Sequence, residues 1–417
     1  MILRYLIIPD PHLRRAVTLW IVLAVAVTVK LGCFSDNFSV YRMFAGGARH
    51  WWHNQSLYAS YTISEGLDGF RYSPAFAVAI TPFVCLPGAL GPIAWSLLSI
   101  GLLGWAMHVL VRDVLPGRWS TEHEARFLIL TLLASAVGIW SLQSNALVTA
   151  LLVLGLAAGL RQQWWKAALF LAVPVFIKLW PMALVLLLIV YWPRQLLGRF
   201  AAVCLALVLF PYLTRPPQIV VWQYREWYLS LTGPLLQGRW PGYRDAWTIW
   251  EEVCRLLAHK PDQALYEHLY AALSLVTALG VLAWCLWQGR RLAGKTAENS
   301  RGHLLMLILS MWSSWQLLFG PGTEQLTYGL IAPAASWAVL VSIAERRAIW
   351  LTCTAWAMVT FLPSGDIERS LLSIFPLARG LLPLGVVIFI AWLLWHERGA
   401  ASCPAFAADE GAVSSPA

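Results

Sequence analysis

Long apolar runs recur along the whole chain, and they constrain its fold more than any other feature. Hydrophobic residues make up 59% of the 417 residues and charged residues 12%, with a mean hydropathy of +0.64. Soluble domains use roughly 45–50% apolar and ~25% charged residues. Inside a bilayer the backbone polar groups must be satisfied within the protein, so apolar runs cross it as helices. The sequence therefore predicts an all-α integral membrane protein.

About twelve apolar stretches are candidate transmembrane helices. They lie near residues 16–34, 74–87, 90–111, 126–142, 145–160, 167–190, 196–213, 266–287, 303–319, 326–344, 348–362 and 378–395. Several are shorter than the ~20 residues that a straight crossing needs, so tilted, broken or re-entrant segments are expected. We predict a single membrane domain over 1–398, with external loops at about 35–73 and 214–265, and a disordered tail over 399–417.

Basic residues cluster in short loops between the apolar stretches, as in Arg290-Arg291. This placement follows the positive-inside tendency, and it accounts for the net charge of +9 without a nucleic-acid partner. If the N-terminus is cytoplasmic, the predicted order of crossings puts Arg161 and Lys166 outside, against that tendency. The topology of 112–166 is thus the least consistent part of the prediction.

The predicted loop 35–73 concentrates polar chemistry between two apolar stretches. It contains the acids Asp36, Glu65 and Asp68, the cation Arg71 and many aromatic residues. Acids, cations and rings beside a membrane surface suit an anionic, sugar-bearing lipid. No metal site is predicted, because the seven Cys stand apart and the His residues of this loop have no third ligand at related spacing.

Short motifs follow one another in a fixed order relative to the apolar stretches. They are Asp36-Asn37-Phe38-Ser39-Val40-Tyr41, Leu57-Tyr58, Phe70-Arg71-Tyr72-Ser73-Pro74, Gln143-Ser144-Asn145 and Ile177-Lys178-Leu179-Trp180-Pro181. With these motifs the chain resembles glycosyltransferase family 87, over roughly residues 30 to 345. The resemblance implies a GT-C-type bundle in the bacterial inner membrane, with its active site on the outer face.

The same resemblance implies an activity. Family members take a mannosyl or arabinofuranosyl group from a polyprenyl phosphate carrier and pass it to a glycolipid or glycan acceptor. The expected partners are therefore the lipid bilayer, a polyprenyl-phosphate-linked sugar as donor substrate, and a glycolipid or glycan acceptor. No cofactor is expected.

Sugar transfer needs a base that removes the proton of the acceptor hydroxyl. Asp36 is the candidate base, and Asp68 is the reserve candidate. The family acid directly precedes the aromatic residue, and Asn37 takes that position here, so either the loop accommodates a one-residue shift or the chemistry is altered. Two structural roles are the alternatives, since Asp36 also suits a helix N-cap and Asp68 a turn.

Other residues are candidates for substrate binding. Lys178 lies within an apolar stretch, where a charge costs ~2.5 kcal/mol or more, so it indicates a functional cation or a structural ion pair. Pro174 and Pro181 flank it and predict a broken helix. Arg71 could meet a lipid phosphate or serve only as an interfacial charge.

The remaining candidates carry groups that could bind a sugar. Gln143 and Asn145 could bond sugar hydroxyls or stabilise a tight turn. Glu324 could contact the donor sugar or begin a helix. The resemblance adds Asn37, Tyr41 and Tyr72 to the predicted substrate-binding set.

Two other classes of function remain open. A secondary transporter or lipid flippase also commonly has about twelve spans, although the chain shows no half-to-half symmetry and concentrates its polar residues in external loops. A non-catalytic scaffold is the third hypothesis, and only the shifted acid favours it.

Overall fold

The computed structural model describes residues 10–34, 40–58, 70–117, 119–232, 242–257, 263–292, 297–375 and 377–399. Within these ranges the chain forms eighteen α-helices and a few short 3₁₀ or π-helical turns. The same ranges contain no β-strand and one isolated β-bridge. The predicted all-α fold class is confirmed. The predicted tail lies outside the described residues apart from residue 399.

In chain order the helices are α1 (Pro11–Cys33), α2 (Tyr41–Trp52), α3 (Pro74–Ala79), α4 (Thr81–Val84), α5 (Leu90–Val109), α6 (Thr121–Trp140), α7 (Asn145–Leu160), α8 (Trp164–Ile177), α9 (Met182–Tyr191), α10 (Pro193–Leu209), α11 (Pro217–Thr232), α12 (Ala246–Leu256), α13 (Gln263–Leu292), α14 (Ala297–Phe319), α15 (Ala332–Glu345), α16 (Ile349–Phe361), α17 (Gly365–Ile374) and α18 (Leu381–Gly399). Eight of the apolar segments are long enough to cross a membrane, and α7, α8, α9 and α16 are shorter apolar helices. Eight and four together agree with the predicted number of about twelve.

Helix α7 is the centre of the bundle. Fifteen of its sixteen residues are buried, which matches its apolar character on every face. Its closest neighbour is α8, because a Cβ on Gly155 would lie only 2.7 Å from the side chain of Leu171. In contrast, α13 exposes apolar side chains such as Leu275 and Val276, as a lipid-facing helix does.

The predicted span at 74–87 was wrong. The segment forms two short helices, α3 and α4, of six and four residues, which are far too short to cross. Pro82 near the start of α4 separates them. Both stay beside α2, since the Trp52 indole N–H donates to the Thr81 hydroxyl at 2.9 Å. Hydropathy alone could not distinguish these two short apolar helices from one crossing helix.

The predicted span at 167–190 is in fact two helices that run in opposite directions. Residue Lys178 has an extended backbone at the end of α8, and α9 starts at Met182. Pro181 favours this break because it has no N–H to continue the helical bonding and restricts the residue before it. Of the two prolines that flank Lys178, Pro181 coincides with the break, whereas α8 continues through Pro174.

The first of these corrections reverses the predicted position of the loop after α7, because it removes one crossing before that loop. Arg161 pairs with Asp113, and the hydroxyl of Thr121 donates to Asp10 at the start of α1. Arg161 and the first turn of α8, which carries Lys166, therefore lie at the same end of the bundle as the start of α1, and the prediction that they lie opposite was wrong. The corrected order agrees with the positive-inside tendency.

Candidate functional site

Lys178 occupies the gap between α8 and α9. Its backbone N–H still donates to the Pro174 carbonyl at 2.8 Å, so it caps α8 before the chain turns. Its side chain is partly buried at the end of the bundle opposite the start of α1. Hydropathy placed Lys178 inside a span. Because of the break, it lies at the end of the bundle instead.

Two amide oxygens hold the Lys178 ammonium group. Its Nζ donates to Asn145 Oδ1 at 2.8 Å and to Gln143 Oε1 at 3.4 Å. Asn145 is fixed in turn, because its Nδ2 donates to the Leu326 carbonyl at 2.7 Å. Within the described ranges no acid forms an ion pair with Lys178, so the structural ion pair considered for it is not found there. Neutral acceptors orient the cation and leave its charge in place.

The turn that carries Gln143 also holds the start of α2. Leu142 adopts a positive φ of 53°, and its carbonyl accepts from the Trp95 indole N–H at 3.2 Å. The backbone N–H of Val40 donates to the Ser141 carbonyl at 3.2 Å. The turn therefore joins α2, α5 and the Lys178 site.

The segment Arg71-Tyr72-Ser73 lies against the same gap. The Ser73 hydroxyl donates to the Phe176 carbonyl at 2.6 Å, two residues before Lys178. Tyr72 is buried beside Ser144, and its ring packs edge-on against Phe44 with 5.0 Å between centroids. Burial raises the pKa of the Tyr72 phenol well above its usual value, so it stays a neutral donor.

Arg71 links this segment to the predicted loop 214–265. Its Nη1 donates to the Tyr243 hydroxyl at 3.2 Å, and its carbonyl accepts from the Trp227 indole N–H at 3.1 Å. Tyr243 forms an antiparallel bridge with Glu324. Glu324 begins a 3₁₀ turn, and its negative charge acts on both Lys178 and Tyr72.

The structure thus gathers six of the residues predicted from sequence into one polar cluster, which contains Arg71, Tyr72, Gln143, Asn145, Lys178 and Glu324. Tyr41 lies apart from it, in a separate pocket. Asp36, Asn37 and Asp68 lie outside the described residues. No group of three His, Cys, Asp or Glu within the described ranges is arranged to hold a metal ion.

Sequence reasoning missed Tyr243, Arg244 and Glu368. Arg244 donates to Glu368 and its backbone N–H donates to the Thr323 carbonyl at 2.8 Å, which fixes Tyr243 beside Glu324. The aromatic content of the loop 214–265 was visible, but it suggested only a membrane anchor. No local pattern connects a loop residue with an acid more than one hundred positions away.

The fold and the cluster define a multi-spanning membrane protein with a cation-bearing polar site at one end of its bundle. The model of glycosyltransferase family 87 matches residues 70–312, which is more than half of the chain. The chain belongs to glycosyltransferase family 87, and it is a membrane glycosyltransferase. No curated protein matches it.

Proposed function

We propose that this protein transfers a hexosyl group, with mannosyl as the first choice, or a pentosyl group from a polyprenyl phosphate carrier to a lipid or glycan acceptor. The polar cluster binds the donor, and the reaction takes place on the outer face of the bacterial inner membrane. One observation carries the proposal: Lys178 is presented at a helix break by two neutral amides, without a direct acidic partner in the described chain. Such a cation suits a phosphate.

In this proposal the cations stabilise the leaving group. The carrier phosphate departs as an anion, so it needs positive charge more than it needs a proton. Lys178 binds its oxygens in the gap, and Arg71 binds them from the exposed side. A direct displacement at the anomeric carbon inverts its configuration.

Asp36 is proposed as the base, with Asp68 in reserve. Asp36 precedes Val40 by four residues in the sequence. Val40 is hydrogen-bonded to the Ser141 carbonyl, two positions before Gln143, so the described residue that follows this segment lies beside the turn of the cluster. Asn37, which takes the position of the family acid, belongs to the same short segment.

The other members of the cluster are proposed to bind the sugar. The amide Nε2 of Gln143 makes no hydrogen bond to the described residues, so it can donate to a sugar hydroxyl. Glu324 and the neutral Tyr72 phenol supply an acceptor and a donor. Asn145 uses both of its polar atoms within the protein, and its role is to position Lys178.

The interrupted helix also fits a transporter or lipid flippase, because broken helices form substrate sites in such proteins. Binding and turnover distinguish the two. We would measure the melting temperature of the detergent-purified protein with polyprenyl phosphate, and with polyprenol as the control lipid. Binding to the folded state raises the melting temperature by mass action.

For a transferase, polyprenyl phosphate stabilises the wild type and polyprenol does not, and Lys178→Ala abolishes the difference. Lys166→Ala serves as the matched control, since Lys166 is exposed at the far end of the bundle. Transfer of radiolabelled sugar from polyprenyl phosphate to membrane lipids then tests the chemistry. Full transfer by Asp36→Asn eliminates Asp36 as the base, and movement of intact carrier without transfer supports the flippase.

A further inference from the structure

A second site lies beside the start of α2, away from the polar cluster. A pocket of about 240 Å³ opens between α2 and the turn that joins α4 to α5. Tyr41 and Arg49 line it from α2, and Val84, Leu86 and Gly91 line it from the other side. It combines two hydrogen-bond donors, from Tyr41 and Arg49, with a few apolar side chains such as Leu86.

An aromatic layer separates this pocket from the polar cluster. Phe44 packs against Tyr72, Phe76 and Trp95, with ring centroids 5.0, 5.2 and 5.5 Å apart. Tyr41 lies one helical turn before Phe44. The ring of Phe44 therefore lies between the pocket and Tyr72 of the cluster. A single bound phosphate does not contact both sites.

The Tyr41 phenol is built into the pocket. Tyr41 is 6% exposed, and its hydroxyl makes no hydrogen bond with any described residue. A Cβ on Gly91 would lie 2.6 Å from this oxygen and 2.3 Å from the Phe83 carbonyl, so only glycine allows the phenol to reach its position. Burial raises the pKa of Tyr41 to about 12, which keeps the phenol protonated and able to donate. A buried polar atom without a protein partner is uncommon and points to a ligand.

Arg49 supplies the charge. It is exposed, and its guanidinium group forms no ion pair or hydrogen bond within the described ranges. Arg215, by comparison, is used structurally, because it stacks on Trp52 and donates to the Trp51 carbonyl at 3.2 Å. A free guanidinium close to a buried hydroxyl is a good receptor for phosphate oxygens.

The surroundings of the pocket indicate where the phosphate comes from. Leu86 lines the pocket and is 41% exposed, and Leu90, the residue before the lining residue Gly91, is 53% exposed. In a membrane protein such side chains face lipid, so the pocket opens where headgroup and acyl chain meet. A free anion would gain nothing from this apolar rim.

We propose that this pocket binds the phosphate of an anionic membrane lipid. Arg49 contacts the phosphate oxygens, Tyr41 donates to one of them, and an acyl chain lies along Leu86 and Leu90. The site is additional to the donor site at Lys178, and it does not depend on the transfer chemistry.

Native mass spectrometry tests the proposal by counting the lipids bound per chain. The purified protein is equilibrated with mixed micelles that contain equal amounts of dioleoylphosphatidylglycerol and dioleoylphosphatidylcholine. The wild type is expected to retain phosphatidylglycerol selectively. The affinity should fall about tenfold or more in Arg49→Gln, and about threefold to tenfold in Tyr41→Phe.

Arg225→Gln is the matched control, because Arg225 is an exposed cation of α11 near the same end of the bundle. Its lipid retention should equal that of the wild type. Equal retention by Arg49→Gln, or an equal loss in Arg225→Gln, overturns the proposal.

A second arm distinguishes a lipid from a free anion. Inorganic phosphate is added to the delipidated protein, and the melting temperature is recorded. A rise that depends on Arg49 and equals the rise with phosphatidylglycerol overturns the lipid assignment. Loss of polyprenyl phosphate binding in Lys178→Ala, with phosphatidylglycerol retention intact, shows that the two sites are separate.

Discussion

Arg244 and Glu368 form a bidentate ion pair that ties the segment before α12 to α17. Arg244 Nε lies 2.8 Å from Glu368 Oε1, and Nη2 lies 3.3 Å from Oε2. Gln325 also donates to Glu368, and the Tyr328 hydroxyl donates to the Arg244 carbonyl at 2.6 Å. This arrangement fixes the neighbouring Tyr243 between Arg71 and Glu324, so a pair outside the polar cluster determines the geometry inside it.

Removing either partner of this pair should destabilise the protein strongly. Glu368→Gln leaves the guanidinium of Arg244 buried without a counter-charge, and breaking such a pair costs ~3–5 kcal/mol. The melting temperature in detergent checks this. Arg369→Gln is the control, because it breaks the exposed pair with Asp366, whose expected contribution is about 0–1 kcal/mol. Similar melting temperatures for the two variants would contradict the structural role of Glu368.

Replacing Lys178 should lower the activity of the enzyme without lowering its stability. In Lys178→Met the cost of holding a charge in the bundle disappears, so we expect no drop in melting temperature. Donor turnover should fall by ~10²-fold or more, as it does when a group that stabilises developing negative charge is removed. Radiolabelled sugar transfer and thermal unfolding of the same preparation provide the two readouts. A variant that loses both equally indicates a purely structural lysine.

A carboxylate at position 145 should compete with the donor. In Asn145→Asp the new acid lies where Oδ1 now accepts from Lys178, and it forms an ion pair that neutralises the cation. We expect weaker binding of polyprenyl phosphate with the fold retained. The affinity for the lipid is the measurement, and Asn145→Gln separates the charge effect from the change in shape. Unchanged affinity in Asn145→Asp rules out Lys178 as the phosphate ligand.

The Tyr72 phenol should contribute as a neutral donor at every pH that the enzyme tolerates. Its pKa is raised by burial, so the hydroxyl stays protonated well past its ordinary value, and no activity is lost through its ionisation near pH 10. We expect Tyr72→Phe to lower turnover about threefold to tenfold, which is the worth of one neutral hydrogen bond. The shape of the pH–rate profile should not change. A limb near pH 10 that disappears in Tyr72→Phe would show that the phenol ionises.

Hydropathy and proline placement predicted the larger part of this fold. Apolar runs located most spanning helices, and Pro181 predicted the break at Lys178, because both signals act over a few neighbouring residues. The segment at 74–87 was misassigned because two short apolar helices and one short crossing helix look alike in sequence. The predicted topology of 112–166 was wrong as a result, because it counted 74–87 as a crossing.

The part of the candidate site that was predicted also rested on local signals in the sequence. Lys178 and Arg71 stand out locally as charges in or beside apolar stretches, and the resemblance marked Gln143 and Asn145. Arg244 and Glu368 were missed because their contact joins positions 124 residues apart. Only the packing of α17 against the segment before α12 brings them together.

The length of α9 also determines how deep the reaction lies. Ten residues rise about 15 Å, and the sixteen residues of α7 rise about 24 Å, whereas the hydrocarbon layer is ~30 Å thick. The ammonium group of Lys178 is therefore recessed below the nearer membrane surface by several ångströms, and under the proposed function the phosphate of the carrier binds at the same depth. Fewer water molecules reach such a recess than reach a flat surface, so an acceptor hydroxyl competes more favourably with hydrolysis for the activated sugar.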